Sequence, residues 1–206
     1  MLMQGQVVQS VAAARASGSP NAMQLQLGEL GLSQVLPKYA ALAWSGLVYT
    51  IGHSAAQALS INSTTFTGLA VANPANSGKN LVFIDAAASI AAAPANASAV
   101  VRLGYAATVA LTQGNANSAK GLPVLAGSGG SSVAVCGASG TLSATPTTLR
   151  PLLGIDWVTG AQVGNLYSKD EIAGAIIIPP GQMLVMDALV AALSVVAGLT
   201  WAELPV

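Results

Sequence analysis

Charge is what this sequence has least of. Asp, Glu, Lys and Arg together make up 7% of its 206 residues, seven acidic and seven basic, for a formal net charge of zero. An ordinary soluble domain carries roughly a quarter charged residues. The basic residues are scattered, so no stripe exists to neutralise a phosphate backbone, and nucleic acid is excluded as a partner on electrostatic grounds. The one cysteine, Cys136, rules out an intrachain disulfide. No basic group or second thiol stands near it in sequence, so it is expected as a small core residue rather than a reactive thiolate. The one histidine, His53, cannot assemble a metal site without convergent Cys, His or carboxylate ligands. It follows a strand-like run, between Gly52 and Ser54, and is expected as a polar residue at a strand end or an interface.

Aromatics are also scarce, at 4%, too few for the girdles of an outer-membrane barrel. No uninterrupted apolar run is long enough to span a bilayer, which takes about 20 residues. Leu184 to Ala202 contains Asp187, and Leu81 to Val101 contains Asp85, Pro94 and Asn96. No membrane partner is expected. The first residues, Met1 to Ser19, lack both a basic lead and a compact apolar stretch, so no secretory signal is expected.

Catalytic motifs are missing too. The loop Gly127-Ser128-Gly129-Gly130 does not match a nucleophile elbow, which requires Gly-x-Ser-x-Gly on a strand-to-helix turn. The stretch Asn73 to Asn80 has Asn73 where a phosphate loop needs its first glycine, and Asn80 where it needs Ser or Thr. Asp170 and Glu171 are adjacent, so in a strand they point apart, and Lys169 adjoins them; a solvated loop is expected rather than a general acid–base pair. The sequence therefore predicts no catalytic residue, no cofactor-binding residue, no metal ligand and no cofactor. It reads as a non-enzyme.

What is present is strand text. Leu47 to Ile51 is a run of strand formers closed by Gly52. Phe66 to Ala72 and Lys79 to Asp85 flank the turn cluster Asn73-Pro74-Ala75-Asn76-Ser77-Gly78, which spells a hairpin. Val100 to Leu111, Val133 to Leu142, Leu149 to Val158 and Ala175 to Ile178 are further candidates. Asn115 to Ser132 is expected as loop. Pro179-Pro180-Gly181 marks a sharp turn into Gln182 to Met186, and Leu189 to Leu204 is expected as two stretches divided by Gly198. The alanine run from Ala86 to Ala93 has high helix propensity but is assigned to strand or loop, because Phe83-Ile84 opens it and Pro94 closes it. Eight to ten closely spaced strands without helical crossovers predict an all-β fold: an antiparallel β-sandwich or jelly roll over residues 36–206. Residues 1–35 are Gln-rich, carry a break at Gly18 to Asn21, and include a short alternating run, Met23 to Leu27. They predict either an extended N-terminal arm that orders on a partner or an ordinary first strand with a loose lead.

Within the last strand, period-two alternation puts Leu199 and Trp201 on one face, expected in the core or at a subunit interface. Glu203 shares that parity and is expected at the solvent margin or against a basic partner such as Lys38 or Arg150.

Several phrases together resemble bacteriophage jelly-roll virion proteins. They are Leu36-Pro37-Lys38-Tyr39 leading into Trp44 to Thr50, Asn73-Pro74 with Ser77 to Leu81, Gly174 to Gly181, and the closing Trp201-Ala202-Glu203-Leu204-Pro205. The resemblance covers residues 36–206. It implies a capsid decoration (cement) or head-fibre subunit, a homotrimer seated on the virion surface whose arm or base engages the major capsid protein. It implies no catalytic residues. Composition points the same way, since a charge-poor surface lacks the repulsion that keeps monomers apart; a homo-oligomer is expected. The competing reading is a receptor- or carbohydrate-binding module of a head or tail fibre, which needs exposed aromatics. A wall hydrolase would need paired carboxylates at a set separation, which the sequence does not display.

Overall fold

A computed structural model describes residues 25–27, 33–35, 38–92, 98–155 and 166–206. Two short strands, β1 (Leu25–Leu27) and β2 (Ser33–Val35), pair with each other. The rest of the proposed arm lies outside the described residues, as does the far end of the Leu149 to Val158 candidate. A seven-residue helix, α1 (Lys38–Trp44), follows, in a stretch for which no helix was expected. Its Ala and Leu residues favour helix. It stops at Gly46, whose φ of 71° closes a Schellman cap: the Gly46 amide donates to the Ala43 carbonyl at 2.9 Å and the Leu47 amide to Leu42 at 3.0 Å.

From there the chain is strand: β3 (Val48–Gly52), β4 (Gln57–Ala58), β5 (Thr65–Ala72), β6 (Lys79–Ala92), β7 (Ala99–Ala107), β8 (Leu111–Thr112), β9 (Leu122–Pro123), β10 (Val135–Thr141), β11 (Thr147–Ile155), β12 (Tyr167–Ile178), β13 (Gln182–Leu189) and β14 (Ser194–Pro205). They form two antiparallel sheets, ordered β11-β7-β13-β5-β10-β8 and β12-β6-β14-β3-β9, with β4 on β14. The β-sandwich expected from the sequence is present.

Its topology is that of a jelly roll. Eight principal strands, β3, β5, β6, β7, β11, β12, β13 and β14, pair first with last, second with seventh, third with sixth and fourth with fifth. The chain is in effect one long hairpin rolled into a two-layer sandwich. Residues 108–146, carrying β8, β9 and β10, interrupt that scheme between β7 and β11. This insertion pairs with β5 through β10 and with β3 through β9, so it joins both sheets along one side. Part of the stretch expected to be loop is thus ordered by pairing.

Alternation along the strands fills the space between the sheets. Leu199, Trp201, Phe83, Ile51, Leu81, Leu103, Leu184 and Met186 are among the buried residues there. Trp201 is fully buried, with the rings of Phe83 at 6.0 Å and Tyr49 at 6.4 Å between centroids. The other face of the first sheet is covered as well. Phe66, Ala70, Ala72, Met183 and Val185 pack beneath Leu142, with Val109 and Leu111 of the insertion against them. The alanine run is strand: β6 lies between β12 and β14, and pairing along both its edges outweighs local helix propensity. Gly198 does not divide β14, which runs through it opposite Gly52 and Ala87.

Candidate functional site

Several of the side chains able to do acid–base or nucleophilic chemistry are buried, among them His53, Cys136, Asp187 and Glu203. His53 follows β3 and is 9% exposed. Its Nδ1 accepts the Ala197 amide of β14 at 3.2 Å. That leaves the proton on Nε2, which donates to the Gly68 carbonyl of β5 at 3.2 Å. The neutral ring therefore bridges the two sheets. Burial lowers its pKa, partly countered by the Gly68 carbonyl. Gly68 must be glycine, because a Cβ there would stand 2.0 Å from the Met186 carbonyl oxygen. The expected place for His53, at a strand end, holds.

Cys136, on β10, is 1% exposed. Burial pushes its thiol up to about 12, with the nearby Glu203 charge adding and Lys120 opposing. It is an inert core thiol, as the sequence indicated.

Glu203 is where expectation and structure part. It shares the inward parity of Leu199 and Trp201, but it is 3% exposed and meets neither solvent nor a basic side chain. Instead the insertion brings it donors. Ser132 Oγ donates to Oε1 at 2.5 Å, the Val133 amide donates at 3.0 Å, the Ala134 amide at 3.4 Å and Trp201 Nε1 at 3.5 Å. A carboxylate taken from water is tolerable when amides and hydroxyls replace its hydration. Nearby, Gly121 packs so closely that a Cβ would stand 2.5 Å from the Trp201 ring. Burial, with the Glu203 charge second, raises the pKa of the adjacent Tyr49.

A second buried charge centre lies on the covered outer face of the first sheet. Arg102 of β7 and Asp187 of β13 are register partners. Arg102 donates to both Asp187 oxygens, at 2.6 and 2.9 Å, to Asn62 Oδ1 at 2.7 Å, and to Thr148 Oγ1. Burial pushes the Asp187 carboxyl upward, against the pull of the bidentate guanidinium. The sequence offered a cue for this pair: one charge each inside Ala99-Val100-Val101-Arg102-Leu103 and Met183-Leu184-Val185-Met186-Asp187.

Asp170 and Glu171 lie on β12, not in a solvated loop. Asp170 bonds Arg150 of β11 at 2.7 Å, which is therefore unavailable to Glu203. The Asn73 to Asn80 stretch is a turn tied to its own backbone and to the end of β12. Asn73 Nδ2 donates to the Lys79 carbonyl at 2.8 Å and to Ile178 at 2.9 Å. The Gly127 to Gly130 loop turns through left-handed Gly127 and Gly129 in solvent. Among the described residues, no three His, Cys, Asp or Glu side chains converge as a metal site would need. No family model, no curated protein and no solved structure matches this chain. Exposed aromatic groups include Trp44, at 67%, and Tyr167, at 64%.

Proposed function

We propose that this chain is a structural virion protein: a homo-oligomeric decoration subunit that binds the outside of a phage head and stabilises it through subunit contacts. The observation that carries the reading is the jelly-roll wrap, whose buried polar centres, at His53, Glu203 and Arg102–Asp187, are each taken up by structural partners. The double-sheet jelly roll recurs in viral capsid proteins and lectins. That is support by fold analogy, since a fold does not dictate its use. The charge-poor composition adds to it, because such a surface suits burial against neighbours. The resemblance to phage jelly-roll virion proteins drawn from the sequence is in keeping with this reading.

The test is to add purified chain to phage heads that lack it, then measure copies bound per particle and the heads' resistance to heat. Binding in the hundreds of copies with a gain in resistance supports decoration. Deleting residues 1–35 should then abolish binding while leaving cooperative unfolding intact. Failure of the full chain to bind overturns the reading.

A second reading, a receptor- or carbohydrate-binding module, is favoured by the exposed rings of Trp44 and Tyr167. It requires a saturable change in Trp fluorescence on glycan titration that is lost in Trp44→Ala.

A further inference from the structure

The sandwich is closed on one side and open on the other. On the insertion side the sheets end in β8 and β9, two residues each. On the opposite side they end in β11 and β12, with nine and twelve residues. An unpaired strand edge presents backbone donors and acceptors ready for another chain. β11 is guarded, since Pro151 offers no N–H and its register against β7 shifts twice. β12 is not guarded in the same way. From Tyr167 to Glu171 it runs in unbroken register with Ser89 to Asp85 of β6, and the irregularity begins only after Glu171, around left-handed Ala173 and Gly174. No strand among the described residues pairs with its outer edge.

The charges on this stretch say what fits there. Glu171 and Asp85 are register partners, two carboxylates facing each other across neighbouring strands. Like charges so placed repel. The nearest cation is Lys169, 3.9 Å from Asp85. Glu171 is exposed and has no ion-pair partner among the described residues. Asp170, between them, points the other way and is already bound to Arg150.

We propose that β12 pairs edge to edge with β12 of a second copy, antiparallel about a twofold axis at Asp170. In that register Lys169 of each copy lies directly opposite Glu171 of the other, on one face of the joined sheet. Each Lys169 then sits among the Asp85 of its own chain and the second copy's Glu171, so the row of carboxylates gains alternating cations. The two Asp170 side chains meet at the axis, each backed by its Arg150. Self-complementarity of this kind is what a twofold interface demands, because the same patch must serve both partners. The result is an even-numbered assembly, in place of the trimer that the virion resemblance implies. The inference rests on the self-association part of the proposed function and not on attachment to a head.

Sedimentation equilibrium of the full chain at micromolar concentrations tests it, with three proteins. The wild type should form a dimer or a higher even-numbered species. Glu171→Lys sets a cation opposite the second copy's Lys169 and should weaken association at least about tenfold, since two pairs are reversed per interface. It should not weaken the isolated chain, because the introduced ammonium group would face Asp85 favourably. The swapped variant Lys169→Glu with Glu171→Lys restores both cross-copy pairs and should recover association. A register check uses Lys169→Cys and Glu171→Cys proteins, which should form an oxidised dimer when mixed and not when alone. A monomeric wild type, an odd-numbered assembly, or association indifferent to Glu171→Lys overturns the proposal. Loss of head binding by an otherwise dimeric wild type would count against the decoration reading only.

Discussion

Removing the carboxylate of Glu203 should release the insertion from the sandwich before the rest unfolds. The side chain accepts from the Ser132 hydroxyl, the Val133 and Ala134 amides and the Trp201 indole. Glu203→Ala leaves those donors buried beside a small void. A buried donor without a partner costs about 1–3 kcal/mol, but the Ser132 hydroxyl can rotate and the 3.4 and 3.5 Å contacts are weak, so the losses do not simply add. The net cost should be about 3–4 kcal/mol, a large share of the ~5–15 kcal/mol that holds a domain. Glu203→Gln keeps the shape and one acceptor oxygen and should cost about 1–2 kcal/mol. Two assays follow. Urea unfolding gives the total loss. Reaction of Cys136 with a thiol reagent reports the local event, since it is the only cysteine, is 1% exposed, and sits on β10 just beyond the anchored residues. Labelling of native Glu203→Ala should be at least tenfold faster than that of wild type. An alanine variant with wild-type midpoint and a shielded Cys136 would refute the anchoring argument.

Three further outcomes are expected. Trp201→Ala should cost ~3–5 kcal/mol by emptying the space between Phe83 and Tyr49 and abolish soluble assembly, while truncation before Pro205 should be mild; a wild-type melting temperature for the alanine variant would place β14 outside the core. His53 is held neutral, with its pKa below the usual 6.5, so its contribution is complete above that pH. As pH falls below 6.5 the unfolded chain takes up the proton first, and stability should drop by up to about 1.4 kcal/mol per pH unit until the folded pKa is reached; His53→Gln should flatten that slope in urea titrations from pH 7 to 4. Arg102→Met should cost ~3–5 kcal/mol by stranding Asp187, and adding Asp187→Leu should recover much of it; a double mutant no better than the single would show that the pair is stabilising in itself.

The strands with strong alternation and clear punctuation were legible. Strands β5 and β6, with the Asn73 to Gly78 turn between them, and the turn Pro179-Pro180-Gly181 into β13 stand where the residues put them. But β5 and β6 belong to opposite sheets and do not pair, so the expected hairpin is a turn from one sheet to the other. Ala86 to Ala92 is strand, as assigned against its helix propensity, because it is flanked by β12 and β14. Local text failed where distant pairing decides. Gly198 is tolerated mid-strand because Gly52 lies opposite. Conversely, α1 was missed because Lys38 to Trp44 adjoins strand text, although Ala, Leu and the capping Gly46 were there to be weighed. Parity placed Glu203 on the correct face. It could not reveal that Ser132 to Ala134, some seventy residues earlier in the chain, would supply the donors. The candidate groups fared similarly: His53 and Cys136 were placed by their neighbours, whereas the Arg102–Asp187 pairing needed the register of β7 on β13.

The rolled hairpin has a consequence for how the chain is made. β14 is the middle strand of its sheet, between β6 and β3. As a ribosome releases the chain from its N-terminal end, β3 and β6 emerge long before the strand that separates them, and β5 and β7 likewise wait for β13. No earlier fragment can close either sheet. Folding of the sandwich should thus wait for β14 to emerge and be slow, in the millisecond-to-second range of all-β topologies rich in distant contacts. Until then the waiting strands expose apolar faces and open edges, the condition in which chaperones are needed most. The same order acts as proofreading: a product broken off before β14 lacks the centre of its sheet, so it cannot close the sandwich.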